Sequence, residues 1–366
     1  MRILQVLPEL NSGGVERGTA ELARYLVENG HESLVLSNGG RLVTTLEEQG
    51  SRHISLPVHK KSLFSLRHIP RLVRLLREEK PDILHLRSRA PAWLCYLAWK
   101  RLPKEERPRL VTTVHGLNSV NVYSAIMTAG ERVICVSEAV KGYVTRNYPK
   151  VDGAKLTVIH RGIDPASYQS DFRPVDSWVD QWNKDFPETK GKKLLTLPGR
   201  ITRLKGHEDF FQILRLVPDD HHGVIAGGAH PRKAAYLDEL KNKAREMKLE
   251  NRITFTGHRS DLREILAHSE LVFSLSQTPE AFGRTTLEAL SLGTPVVGYD
   301  DGGVAEILKT CFPQGATPFK DPGAASKLTL QLLESSPMID APGPFILENC
   351  LAQTVQVYRE LLRQDP

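Results

Sequence analysis

The residues best able to do chemistry lie in one run, Ser276-Gln277-Thr278-Pro279-Glu280-Ala281-Phe282-Gly283-Arg284-Thr285-Thr286-Leu287-Glu288, which follows the apolar stretch 271–275. Glu280 falls in the loop after that stretch, and Gly283 permits close backbone approach. Thr285 and Thr286 open a helix whose free N–H groups can hold a phosphate, and Glu288 lies about one turn further on. Carboxylates accept hydrogen bonds from vicinal hydroxyls and suit phosphates poorly. Two of them flanking a phosphate site therefore fit a sugar on one side and a ribose on the other.

Other charged groups also end apolar runs. Arg200 and Lys205 follow the run 193–198. Arginine offers a planar fork and lysine a point charge, a pairing suited to a diphosphate, although ordinary loop charge looks the same. Gly13 and Gly14 follow the first apolar run just before a helical pattern, where backbone can approach a ligand or simply turn. The spacing is not Gly-x-Gly-x-x-Gly, so the dinucleotide fingerprint is missing. His85, Arg87 and Arg89 follow the fourth run, and His115 the fifth. A histidine at a strand end is more often structural; two on one rim beside a Gly-Gly loop favour a site. His85, Arg87 and Arg89 are the candidates for touching an acceptor. With no Asp-x-Asp and no Cys or His at metal-ligand spacing, neither a metal nor a resident cofactor is expected.

The elements that must position these groups alternate. Strands are expected at 2–7, 32–37, 52–56, 82–86, 109–114, 131–136 and 156–159, with helices at 16–29, 65–79, 90–101 and 137–147. Residues 165–192 are rich in Pro and charge without a clear period and read as a junction. The rhythm restarts with strands at 193–198, 222–226, 252–255, 271–274 and 295–298 and helices at 207–216, 231–247, 260–268, 284–292 and 321–334. Asp300 to Glu306 reads as a further Gly-rich strand-end loop, and 345–363 as a final helix. This is an α/β pattern of two doubly wound, Rossmann-like domains, 1–168 and 169–344, followed by 345–366, a C-terminal helix able to cross back to the first domain.

The bulk numbers agree. A chain of 366 residues is long for one core and comfortable for two. Cys95 and Cys135 lie in apolar runs and read as core residues, which fits a reducing compartment. With no run long enough to span a membrane, a cytoplasmic protein is expected. Charge is uneven: residues 51–109 hold 15 basic and 5 acidic residues. The stretch Lys60–Arg77 is apolar on one face and cationic on another, so it packs on a sheet with a solvated basic face or lies on anionic lipid. No nucleic-acid module or interleaving of basic and aromatic residues appears, and no nucleic-acid partner is expected.

Taken in order, these motifs resemble the large family of retaining glycosyltransferases that includes glycogen synthase and the enzymes of bacterial surface glycans (glycosyltransferase family 4, or group 1), whose fold is called GT-B. Gly13-Gly14-Val15-Glu16 looks like its N-terminal loop, and Val158–Asp164 like its segment ending the first domain. Arg200 with Lys205 match its diphosphate pair, and Glu280 with Glu288 its paired glutamates. The resemblance implies two domains facing across a cleft. It also implies that Glu280 and the backbone of Ala281, Phe282 and Gly283 hold a donor sugar, while Glu288 holds the ribose. Arg200 and Lys205 would neutralise the leaving diphosphate, Gly14 approach the phosphates, His115 contact the sugar, and the loop with Gly257 and His258 border the base. Arg161, Ala281, Thr285 and Thr286 depart from the usual family residues, the last two bearing on donor identity.

The expected activity is metal-independent, retaining transfer of a hexose or N-acetylhexosamine from a nucleotide-sugar co-substrate. UDP-sugar is favoured and GDP-mannose is next; the acceptor would be a lipopolysaccharide or other lipid-linked glycan, met at the inner face of a bacterial inner membrane. A nucleotide-sugar epimerase of the same fold and a non-catalytic relative are the alternatives. The latter should have lost Glu280, Arg200 or Lys205.

Overall fold

A computed structural model describes residues 1–11, 13–229, 234–335 and 337–364. Ser12 of the glycine loop, residues 231–233 at the start of the helix expected at 231–247, and 365–366 of the C-terminal segment lie outside the described residues. The chain divides into two compact units: Met1–His160 with the C-terminal helix from Glu348, and Arg161–Leu347. The division falls at His160, against the boundary read at 168.

The first unit runs β1 (Arg2–Val6), α1 (Gly14–Glu28), β2 (Glu32–Ser37), α2 (Val43–Glu48), β3 (Arg52–Ser55), α3 (Ile69–Glu79), β4 (Ile83–Leu86), α4 (Arg89–Lys100), β5 (Arg109–Val114), α5 (Val122–Ala125), β6 (Arg132–Cys135), α6 (Glu138–Asn147) and β7 (Leu156–Val158). Its sheet order is β3-β2-β1-β4-β5-β6-β7, every pairing parallel. Near-continuous apolar strands such as Ile83–Leu86, buried throughout, are what a parallel sheet covered on both faces requires. The final helix, α14 (Leu347–Arg363), brings Tyr358 against this sheet, where its hydroxyl lies 2.6 Å from His85 Nδ1.

The second unit runs α7 (Asp176–Asp185), β8 (Lys193–Pro198), α8 (His207–Leu214), β9 (His221–Ala226), α9 (Ala234–Glu246), β10 (Ile253–Gly257), α10 (Leu262–Ala267), β11 (Leu271–Ser274), α11 (Arg284–Ser291), β12 (Val296–Tyr299), α12 (Gly302–Cys311), β13 (Ala316–Thr317) and α13 (Pro322–Leu333). Its all-parallel sheet has the order β10-β9-β8-β11-β12-β13. Each sheet thus starts in its middle, winds one way for three strands, and returns to wind the other way. Ligands bind at such a reversal, beyond the carboxyl ends of the two central strands. Those strands are β1 and β4 in one unit, β8 and β11 in the other.

Several local expectations change. The helix read at 65–79 is a 3-10 helix, Leu63–His68, followed by α3, because Pro70 fits only the first turn of a helix and starts a new one. Its Ile69, Leu72 and Leu76 are buried, so the apolar face of α3 is spent on packing within the unit. The supposed junction 165–192 contains α7, whose Trp182 is buried and stacks on Trp178 with ring centroids 5.3 Å apart. Asp301 to Glu306 is the start of α12 rather than a loop, with the Asp301 carboxylate accepting from Gly302 N–H at 2.8 Å. The short α2 and the two-residue β13 lack enough residues to show a period. All four cysteines are buried.

Candidate functional site

At the reversal of the second sheet, the loops leaving β8 and β11 meet. The β8 loop ends at Gly206, the residue capping α8, with φ of +71°. A Cβ there would sit 2.0 Å from the Leu275 carbonyl oxygen, so both the backbone angle and the neighbour demand glycine. Gln277 N–H donates to Leu204 O at 2.8 Å and ties the two loops together. Lys205 lies across Gly199, its Cε 3.1 Å from where a Cβ would be. From there Lys205 Nζ donates to Glu280 Oε1 at 2.6 Å, and the Ser276 hydroxyl donates to the same oxygen. Burial disfavours the Glu280 anion, but the Lys205 charge and the two hydrogen bonds more than offset it. The carboxyl is held below its usual range and stays ionised at neutral pH.

A second carboxylate braces this arrangement from behind. Asp209 Oδ2, in the first turn of α8, accepts from Gln277 Nε2 at 2.6 Å and from the buried Tyr299 hydroxyl at 2.5 Å. Burial, then Asp209, pushes the Tyr299 phenol well up, so it remains a donor. Gly303 N–H donates to the Glu280 carbonyl at 2.8 Å, fixing the backbone of the acidic residue against α12. Asp209 and Tyr299 carry no motif; they become visible only when α8, the β11 loop and β12 are brought together.

The rest of the acidic run enters α11 through Gly283, which caps it at φ of +91°. Phe282 and Thr286 are buried, Ala281 and Thr285 half-buried. Glu288 is also buried, at 2 % side-chain exposure, and pairs with Arg284 Nε at 3.1 Å. The two glutamates are therefore held by two different cations, Lys205 and Arg284. The helical spacing of four residues was the available signal for Arg284. Arg200 is exposed just beyond β8. Gly257 pairs with Gly227 in an isolated bridge, and the exposed His258 packs over Gly228.

In the first unit, Gly13 caps α1 and its N–H donates to the Glu16 carboxylate. A Cβ at Gly14 would meet nothing within 4 Å. Packing within the unit therefore gives no reason for glycine there, and a ligand approaching the helix end would. Were a nucleotide-sugar to reach this helix end, Gly14→Val should leave thermal stability unchanged and weaken its affinity at least about tenfold, the steric cost falling only on the bound state; calorimetric titration checks this, and unchanged affinity would mean that no such ligand reaches Gly14.

Two acceptor candidates are corrected. His85 is fully buried, with Nδ1 on Tyr358 and Nε2 2.6 Å from the Thr113 hydroxyl; it joins β4, β5 and α14 and cannot reach an acceptor. Arg87 is 3 % exposed and donates to Gln5 Oε1 at 3.1 Å, which makes it an internal strut. Both side chains point into the packed unit, a direction that a strand-end position does not reveal. Arg89 stays half-buried, donating to the Ser124 hydroxyl at 3.1 Å and lying 5.6 Å from the centre of the Tyr123 ring. His115 is half-buried just past β5. No helix among the described residues is long and apolar enough to cross a membrane.

Residues 12–167 match the family model for Glycosyltransferase Family 4, and residues 179–343 match the model for Glycosyl transferases group 1. The chain belongs to the group 1 glycosyltransferases. A glycosyltransferase structure from Rickettsia africae is 28% identical, with a TM-score of 0.82, 100% of this chain and 99% of that one being covered. The Anabaena protein Alr3699/HepE, solved with UDP and glucose, shares the GT-B fold at 19% identity and a TM-score of 0.80, over 98% of this chain and all of its own. In sequence, this glycosyltransferase is 24% identical to the N-acetyl-alpha-D-glucosaminyl L-malate synthase of Bacillus anthracis, over 98% of this chain and 96% of that one.

Proposed function

We propose that this glycosyltransferase moves a hexose or N-acetylhexosamine, with retention and without a metal ion, from a nucleotide-sugar to a lipid-linked or cell-surface glycan such as lipopolysaccharide. The observation that carries the reading is the Lys205–Glu280 pair at the reversal of the second sheet, 2.6 Å between charged atoms. The leaving diphosphate gains negative charge as the glycosidic bond breaks. Lys205 would meet that charge, with Arg200 contributed by the same loop and the N-terminus of α11 adding N–H groups. Glu280, ionised and fixed by Lys205 and Ser276, would accept from sugar hydroxyls. The departing phosphate would take the acceptor's proton on the same face, which preserves configuration. UDP is the favoured carrier and GDP-mannose the next; UDP is also what the structure of the Anabaena relative contains. The acceptor would be met at the anionic inner face of a membrane.

A second reading of the acceptor has support in the near full-length similarity to a malate glucosaminyltransferase: a small hydroxy acid in place of a glycan. A thermal-shift panel tests the donor. A bound ligand raises apparent stability by RT ln(1 + [L]/Kd), so a UDP-sugar at about 100 Kd should add ~2.7 kcal/mol while ADP-sugars add nothing. A shift with GDP-mannose alone reverses the donor preference, and no shift with any of them ends the proposal. Adding L-malate or a lipid-linked glycan to the donor complex and following nucleotide release separates the two acceptors.

A further inference from the structure

Arg284 and Glu288 meet one turn apart on α11, and helix physics alone gives no reason for that pair. Arg284 is the first residue of the helix, where the free N–H groups already carry partial positive charge, so a cation there is unfavourable. An ion pair four residues apart supports a helix better with the acid first, and here the base comes first. Burial adds to the cost. Glu288 lies among Leu287, Ala289 and Leu290, all buried. Taking a carboxylate out of water is expensive even when it is paired, and an apolar side chain would fill the same space at less cost. Stability therefore does not account for the pair.

Its geometry suits a different task. Residues four apart share one face of a helix, and Arg284 Nε donates to Glu288 Oε1 at 3.1 Å. The start of α11 is the end nearer the loop from β11, so Arg284 stands toward the strand-end rim and Glu288 one turn deeper. That start is seated tightly: a Cβ at Gly283 would lie 2.6 Å from Val304 Cγ2, on α12. Arg284 thus springs from a fixed base. A guanidinium holds a carboxylate by direction as well as by charge, which a lysine ammonium does not. A carboxylate can accept about four hydrogen bonds, so being held by one donor is compatible with taking hydroxyls.

We infer that Arg284 is a positioning residue: it fixes the orientation in which Glu288 accepts from ribose hydroxyls, and so makes the site select a ribonucleotide over its 2′-deoxy counterpart. The inference rests on the donor reading, in which Glu288 meets the ribose. It adds that this acid discriminates only while Arg284 holds it.

The test is calorimetric titration of the full chain with UDP and with 2′-deoxy-UDP. Wild type should prefer UDP by at least about tenfold, the loss expected when a charged acceptor is left without its hydroxyl. In Arg284→Gln the preference should shrink to within about threefold, and Arg284→Lys should keep only part of it. Glu288→Gln should also lose most of the preference, and adding Arg284→Gln to it should change nothing further, because the arginine acts through the acid. The double variant strands no buried charge, so it also covers the case in which Arg284→Gln alone folds poorly. An arginine with only a structural role would weaken both nucleotides alike and leave their ratio at the wild-type value, which overturns the inference. An Arg284→Gln effect on the ratio that persists in the Glu288→Gln background overturns it as well. Equal binding of UDP and 2′-deoxy-UDP by wild type does the same while leaving the donor reading intact, since UDP still binds. If GDP binds in place of UDP, 2′-deoxy-GDP takes the place of 2′-deoxy-UDP with the same outcomes. Binding of neither UDP nor GDP removes the donor reading, and this inference with it.

Discussion

Lys205→Ala should lower turnover at saturating donor by about 100- to 1,000-fold, the range seen when one preorganised group facing a developing oxyanion is removed. The lysine is proposed to act where charge appears, so its loss falls on kcat rather than on KM alone. Lys205→Arg keeps the charge but exchanges a compact ammonium for a planar fork, and should recover only part of the rate. A second consequence concerns pH. Burial disfavours the Glu280 anion, and the neighbouring cation is the main influence opposing it. With Lys205 gone, burial acts with less opposition and the Glu280 carboxyl takes up a proton at higher pH. The acid limb of the pH–rate profile should therefore move toward neutrality in Lys205→Ala, and lie lower in the wild type, where the carboxyl is held down. Steady-state kinetics across pH measure both effects. A normal kcat in Lys205→Ala, with an unmoved acid limb, would remove the pair from the chemistry and leave it as a structural ion pair.

The other large effect is on the scaffold. Gly206→Val places a β-branched residue at φ of +71° and aims its Cβ to within 2.0 Å of the Leu275 carbonyl and 2.7 Å of the Leu275 Cβ. Left-handed backbone costs such a residue about 1–2 kcal/mol, and forcing atoms into filled space adds about 1–3 kcal/mol. For a unit of this size the sum corresponds to a melting transition lowered by about 10 °C. The backbone cannot relieve the clash without pulling the β8 loop from the β11 loop, which breaks Gln277 N–H from Leu204 O. Donor affinity should fall along with stability. Scanning calorimetry with and without UDP-sugar reads both; a transition within 2–3 °C of wild type would mean that the loops are free to separate, since small surface effects stay within about 0.5 kcal/mol. Gly14→Val, at a glycine with open space, is the matched control for stability.

Much of this protein was legible in order along the chain. Apolar runs of four to six residues separated by helical patterns marked β1, β4, β5, β8, β11 and their neighbours, because a strand covered on both faces must be apolar throughout. Gly283 before Thr285 and Thr286 marked the start of α11, because a helix that begins at a strand end carries a local signature. Family membership followed from the spacing of such marks. The 3-10 turn at Leu63–His68, α7 and α12 were missed or misread, being short or opened by glycines that look like loop.

What the sequence alone determined was the list of elements and the polar groups at their ends. Tertiary structure decided which of those groups meet. Lys205 reaches Glu280 across 75 residues because β8 and β11 are neighbours at the point where the winding reverses. Asp209 reaches Tyr299 across 90 for the same reason. His85, with the right residue type in the right place, is enclosed by Thr113 and by Tyr358, 273 positions away. Periodicity reports how one segment faces water; which distant segment covers it depends on strand order, and strand order is not written in any local stretch of residues.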